Sequence, residues 1–188
     1  LIYTKKSTNT VTIKNSTIEN CMAGVNITAA NKVTLENVTM TGVQFGIHTQ
    51  NQGERTIIVK GCNIGAQYPI YVLNKYTNLQ TFKFEGTNTL TGDVALNNCG
   101  ELVLSNANST LKAEADLGVI TTVDGCTVTY LNGIYSVVPA NVKNSNTGKM
   151  YATIQAAVKE AATGDVIELL KDINYTLADA FTTTDGYK

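Results

Sequence analysis

Residues 11–20 read VTIKNSTIEN and residues 33–42 read VTLENVTMTG. Each opens with an apolar-polar-apolar triplet, followed by a charged residue and then Asn. Four further segments repeat the pattern: IIVKG (57–61), FKFEG (82–86), LVLSN (102–106) and TTVDG (121–125). Their closing residues Asn15, Asn37, Gly61, Gly86, Asn106 and Gly125 are spaced 22, 24, 25, 20 and 19 apart. All six are Asn or Gly, the residues that most readily accept a left-handed backbone. Within each segment the first and third residues are mostly apolar and the second and fourth mostly polar. That is the period of a strand with one buried face.

The repeating unit is therefore a short strand that ends in a left-handed corner. Each corner leads into further short strands such as Gly24–Ile27, Gly46–Thr49 and Pro69–Val72. A coil of about 20–25 residues cannot bury its own apolar face, but stacked coils share one core. Parallel stacking at about 4.8 Å per coil aligns equivalent residues into ladders. The pattern resembles the right-handed parallel β-helix of pectate lyases, tail spikes and many bacterial surface proteins, over roughly residues 1–138. The expected fold class is thus an all-β solenoid, a right-handed parallel β-helix. A leucine-rich repeat is a competing solenoid, but its Leu-x-x-Leu-x-Leu signature is missing. An irregular β-sandwich is the other alternative.

Composition agrees with strands and turns. Thr (28) and Asn (20) fill about a quarter of the 188 residues. Charged residues make up 15% with a net of −1, a weak field for attracting nucleic acid or an anionic membrane surface. No apolar run approaches the ~20 residues that span a bilayer. Neither nucleic acid nor membrane insertion is expected.

The chain changes character near its end. Leu1–Thr10 parallels the latter part of the next coil, so the chain is expected to begin within a coil. Coils are expected to continue through Tyr130, with residues 134–138 as one closing strand. Residues 139–149 (PANVKNSNTGK) have the composition of a polar linker. Beyond them, Ile154, Ala157, Val158 and Ala161 fall on one helical face. Thr153 is the expected N-cap and Gly164 the expected left-handed stop, and Val166–Leu170 reads as a strand. This passage resembles the short amphipathic cap that opens secreted bacterial β-helix domains. It implies that residues 150–188 are the helical cap and first strands of a second module.

Candidate chemistry is sparse. His48 is the single His and Arg55 the single Arg. The repeat aligns Asn26, His48 and Tyr71 into one external ladder, with no acidic residue in it. Glycoside hydrolysis needs a pair of carboxyl groups, so a catalytic role for His48 is not expected. Tyr68, Tyr71 and Tyr76 crowd the stretch AQYPIYVLNKY. Exposed aromatics stack on sugar rings while their hydroxyls form hydrogen bonds, so the candidate ligand-binding residues are Asn26, His48, Tyr68, Tyr71 and Tyr76. The alternative is that these side chains only cover loop edges. Arg55 is read as a loop residue beside Glu54.

Cys62 and Cys126 share a coil phase but lie three coils apart, about 14 Å by strand spacing. A disulfide requires Cα atoms within about 7 Å, so Cys21, Cys62, Cys99 and Cys126 are expected as free thiols. There is no CxxC, and no metal or cofactor is expected. Asn15 and Asn37 head Asn-x-Ser/Thr triplets but are read as turn residues. An ice-binding Thr face is also unsupported, because Ile58, Lys83 and Val103 follow Thr12 and Thr34 in their ladder.

The expected function is a non-catalytic β-helix fragment of a secreted or cell-surface bacterial protein. It would act as an adhesive stalk or weak glycan-binding surface, with glycans or host and cell-surface polymers as partners. The rival expectation, implied by the resemblance, is a truncated polysaccharide lyase or glycoside hydrolase.

Overall fold

The structure, a computed structural model, describes residues 2–4, 10–50, 54–73, 80–96 and 100–173. It divides into two compact units, 1–123 with 128–137 and 124–127 with 138–188. The first unit is a β-solenoid of about four turns with stacked parallel coils. Its strands are β1 (Ile2–Thr4), β2 (Thr10–Glu19), β3 (Ala23–Ile27), β4 (Lys32–Gln50), β5 (Arg55–Lys60), β6 (Asn63–Leu73) and β7 (Gln80–Glu85). There follow β8 (Thr87–Thr91), β9 (Glu101–Leu104), β10 (Thr110–Ala113) and β11 (Thr121–Thr122). The strands β12 (Cys126–Leu131) and β13 (Ile134–Pro139) come last.

The triplets place their inward residues in two columns. Val11, Val33, Ile57, Phe82 and Leu102 form one, and Ile13, Leu35, Val59, Phe84 and Leu104 the other, each in Cα register with the next. All but Val11 are buried. Ile18, Met40, Ile64, Leu90 and Ala113 align in the same way on a second face, and Val25, Ile47 and Ile70 on a third. The three faces enclose one apolar column. Each buried aliphatic or Phe side chain contributes about 1.5–3 kcal/mol, so stability accumulates coil by coil.

Corner chemistry follows the sequence at five of six positions. Asn15, Asn37, Gly61, Gly86 and Gly125 have φ of 49°, 53°, 60°, 66° and 74°. Asn106 departs from this expectation. There the chain makes a turn, in which Ser109 N donates to Asn106 O at 2.8 Å and Asn106 N donates to Ser109 Oγ at 3.2 Å. The hydroxyl and carbonyl supply a local loop closure that needs no left-handed residue. A second left-handed corner, not anticipated, stands at Asn20 and Gly42, with φ of 50° and 61°. A Cβ on Gly42 would lie 2.6 Å from Asn20 Oδ1, so the stacked Asn forces glycine on the next coil.

The last coil does not run on in parallel as expected. β13 pairs antiparallel with β10, through Thr110–Ser136, Leu111–Tyr135 and Lys112–Ile134, and β12 lies beside it. Between β12 and β13, Asn132 and Gly133 have φ of 51° and 79°. Two consecutive positive φ values make the turn whose twist suits a two-residue hairpin. Tyr135 reinforces the closure: its hydroxyl accepts from Leu117 N at 2.9 Å and donates to Asp116 Oδ1 at 3.1 Å.

In the second unit, β14 (Val142–Asn144) pairs antiparallel with both β15 (Met150–Tyr151) and β16 (Ile167–Leu169). Residues 139–149 therefore contain a central strand where the composition suggested a linker. Asn144 explains the difference. It is buried, its Nδ2 donates to Asp165 at 2.8 Å, and its Oδ1 accepts from Asn146 N and Thr147 N. Polar composition here builds a folded turn. The helix α1 (Ile154–Glu160) starts at Thr153, whose side chain accepts from Ala156 N, as read from the sequence. It ends earlier than expected: Ala161 is extended, and Gly164, at φ 90°, belongs to a following turn. Ala157 on α1 is buried with Val142 and Tyr151. The expected later strands of a second module, from residue 174 onward, lie outside the described residues. Among the described residues, no helix is long and apolar enough to cross a membrane.

Candidate functional site

On the third face of the solenoid the sequence carries Gly24, Gly46 and Pro69. These fall at equivalent coil positions, because Ala23, Phe45 and Tyr68 are in register, as are Val25, Ile47 and Ile70. A Cβ on Gly46 would stand 2.4 Å from Ile64 Cγ2 and 2.6 Å from Pro69 O, and one on Gly24 would stand 2.6 Å from Met40 Sδ. The backbone at these two glycines runs so close to its neighbours that a side chain has no room. Each coil presents two side chains around this point, three residues apart: Phe45 with His48, and Tyr68 with Tyr71.

These four rings form one half-buried cluster. Phe45 lies 5.4 Å from His48 and 5.8 Å from Tyr68, with interplanar angles of 29° and 17°. Tyr71 is tilted against all three: 4.9 Å from Phe45 at 55°, 5.5 Å from His48 at 55°, and 5.5 Å from Tyr68 at 65°. Offset and edge-on pairs at these separations are the attractive geometries for aromatic rings. The backbone fixes the arrangement, since Phe45–Tyr68 and His48–Tyr71 are Cα partners on adjacent coils.

Burial holds the His48 pKa below its ordinary value, so the imidazole is neutral at pH 7. Beside it in register stands Asn26, whose Oδ1 is buried without a hydrogen-bond partner. An unpartnered acceptor of this kind is costly and calls for a donor.

The Asn26, His48 and Tyr71 ladder thus has the register read from the sequence. Tyr68 belongs to the adjoining ladder with Phe45, and Tyr76 lies outside the described residues. Phe45 was missed by the sequence reading. The signal that identifies it is spacing, because Phe45 precedes His48 by three residues as Tyr68 precedes Tyr71.

Arg55 is not the loop residue expected. It opens β5 on the inward parity of Ile57 and Val59 and is only 5% exposed. Its Nη1 donates to Ile27 O at 3.1 Å and its Nη2 to Thr28 O at 3.3 Å. Cys62 is buried and Cys21 and Cys126 half-buried, all three as free thiols, while Cys99 lies outside the described residues. Burial raises the Cys62 pKa, which keeps it a protonated space-filler. Among the described residues no group of three or more His, Cys, Asp or Glu side chains is arranged to hold a metal ion.

Comparison with known protein families, curated proteins and solved structures finds no match to the chain.

Proposed function

We propose that the protein is a non-catalytic β-solenoid module of a secreted or cell-surface protein, in which the Phe45, His48, Tyr68 and Tyr71 cluster holds glycans. The observation that carries the reading is the cluster itself: four rings within 4.9–5.8 Å on two adjacent coils, with no charged side chain among them. Aromatic rings bind the apolar C–H faces of sugars, and the tyrosine hydroxyls supply hydrogen bonds at the edge. A stack of parallel coils is rigid along its length and presents such a surface without ordering a loop on binding.

The test pairs a glycan array with assays for reducing ends and unsaturated products on plant and host polysaccharides. Binding without turnover is the expected result. Tyr71→Ala should weaken it about twofold to tenfold. Turnover of any polymer would replace this reading with that of a lyase or hydrolase, and unchanged affinity in Tyr71→Ala would remove the cluster as the site.

A further inference from the structure

The ring cluster stands beside a step in the solenoid wall. On the next coil, Ala95 N donates to Ile70 O at 3.0 Å and Val72 N donates to Ala95 O at 2.8 Å, which makes Ala95 the register partner of Tyr71. Asp93 N donates to Gln67 O at 3.0 Å in the same fashion, so Asp93 stands beside Tyr68. Val94 and Leu96 pack against the core, and strand alternation turns Asp93 and Ala95 outward. The two ring ladders therefore run Phe45, Tyr68, Asp93 and His48, Tyr71, Ala95.

Towards β4 the register gives Tyr71 the imidazole of His48, and towards the next coil it gives the methyl group of Ala95. The result is a ledge, with the tyrosine rings as its wall and Ala95 as its floor. Two carboxylates border it. Asp93 is exposed and forms no ion pair among the described residues. Glu114 Oε2 accepts from Gly92 N at 3.0 Å, one residue before Asp93. Gly92 itself has a φ of 116°, and a Cβ there would collide with Ala66 O, so the backbone that carries Asp93 lies hard against the tyrosine coil.

Building on the glycan reading above, we infer that the sugar lies on this ledge, its C–H face on Tyr71 and its hydroxyls donating to Asp93, and that the site takes neutral glycans and refuses anionic ones. The class follows from charge. An ionised carboxylate accepts hydrogen bonds and cannot donate them, so sugar hydroxyls answer it, through bonds about twice as strong as those between neutral groups. A uronic acid instead brings a like charge towards Asp93, with Glu114 close behind. The register neighbours of the two tyrosines supply no cation to offset it: Phe45 and His48 lie on one side, Asp93 and Ala95 on the other. Repulsion between two unit charges about 4 Å apart is worth about fivefold in affinity even in bulk water.

The experiment is an amide-resolved NMR titration of the isotope-labelled chain at pH 7, to roughly 100 mM ligand. The probes are the methyl glycosides of glucose, galactose and mannose, the matching uronates, and the uncharged methyl esters of those uronates. Saturable shifts are expected at Tyr71, Asp93 and Ala95 with a neutral glycoside, about threefold to tenfold weaker binding with its uronate, and recovery with the ester. Asp93→Asn, at an exposed position, should narrow the gap between glycoside and uronate. Ala95→Leu fills the floor and should abolish the shifts in a variant that keeps its strand signature by circular dichroism. A uronate that binds as tightly as its neutral counterpart, or a preference untouched by Asp93→Asn, overturns the inference and leaves the aromatic site standing. Silence at Tyr71 with every probe overturns both.

Discussion

Asn37 Nδ2 donates to Asn15 Oδ1 at 3.1 Å, so two left-handed corners on successive coils are tied to each other by their own side chains. The pair serves two purposes: Asn tolerates positive φ, and its amide continues a ladder along the solenoid. Asn37→Ala removes both and should cost about 1–2 kcal/mol, whereas Asn37→Gly restores the backbone and loses only the hydrogen bond. Urea denaturation of the two variants measures the difference. Equal losses would mean that the backbone conformation is not what the corner requires.

Gly61 and Gly86 separate strain from crowding. Both have positive φ, yet a Cβ on Gly86 meets nothing within 4 Å, whereas one on Gly61 lies 2.8 Å from Asn37 Oδ1. Gly86→Ala should therefore cost about 1–2 kcal/mol from the backbone alone. Gly61→Ala should cost more, and the excess should vanish in the Asn37→Gly background, as a double-mutant cycle would reveal.

Glu36 sits between Lys14 and Lys60, at 2.7 and 3.6 Å. Hydrogen bonding to Lys14, with its charge and that of Lys60, lowers the Glu36 pKa. The contribution is present above the usual glutamate value of about 4.3 and disappears as pH falls through the lower folded value. Glu36→Lys would line up three like charges on adjacent coils and lower the Tm, and salt near 1 M should largely remove that loss. A loss independent of salt would contradict an electrostatic origin.

Gly46→Ala drives a methyl group into Ile64 and the Pro69 carbonyl. Overpacking of this kind costs about 1–3 kcal/mol, and it pushes apart the two coils whose register sets the four rings. Both a lower Tm and loss of ring contacts in aromatic NMR spectra are expected. Retention of those contacts would show that the close approach at Gly46 does not position the rings.

His48 carries a pH signature. Its folded pKa lies below the unfolded value of about 6.5, so the unfolded chain takes the proton more readily. Stability from this residue is complete above that value and is lost as pH falls through the folded one. Tm measured from pH 7.5 to 5 should fall more steeply for the native chain than for His48→Gln. Parallel curves would contradict the half-buried, neutral imidazole.

The solenoid was legible because its signal is carried by spacing. Asn15, Asn37, Gly61 and Gly86 recur at coil length, and the K-E-K-E alternation of Lys14, Glu36, Lys60 and Glu85 repeats outside them in register. What escaped depends on contacts that spacing does not encode. Asn106 looks like its predecessors, but Ser109 gives the chain another way to turn. Residues 139–149 look like a linker because the stabilising role of Asn144 rests on Asp165, twenty-one residues away. Half of the candidate site was readable from the ladder of Asn26, His48 and Tyr71. Phe45 stands outside that ladder and is marked only by its spacing from His48, the same spacing that separates Tyr68 from Tyr71, and Arg55 was hidden because its buried bonds are to main-chain carbonyls.

The most direct test of the central claim is saturation-transfer NMR with a glycan identified on the array, irradiating the aromatic protons of the intact protein. The C–H protons of one sugar face should receive the saturation, and Phe45→Ala combined with Tyr71→Ala should abolish it in a variant that keeps its strand signature by circular dichroism. Undiminished transfer in that folded double variant would show that the sugar rests elsewhere.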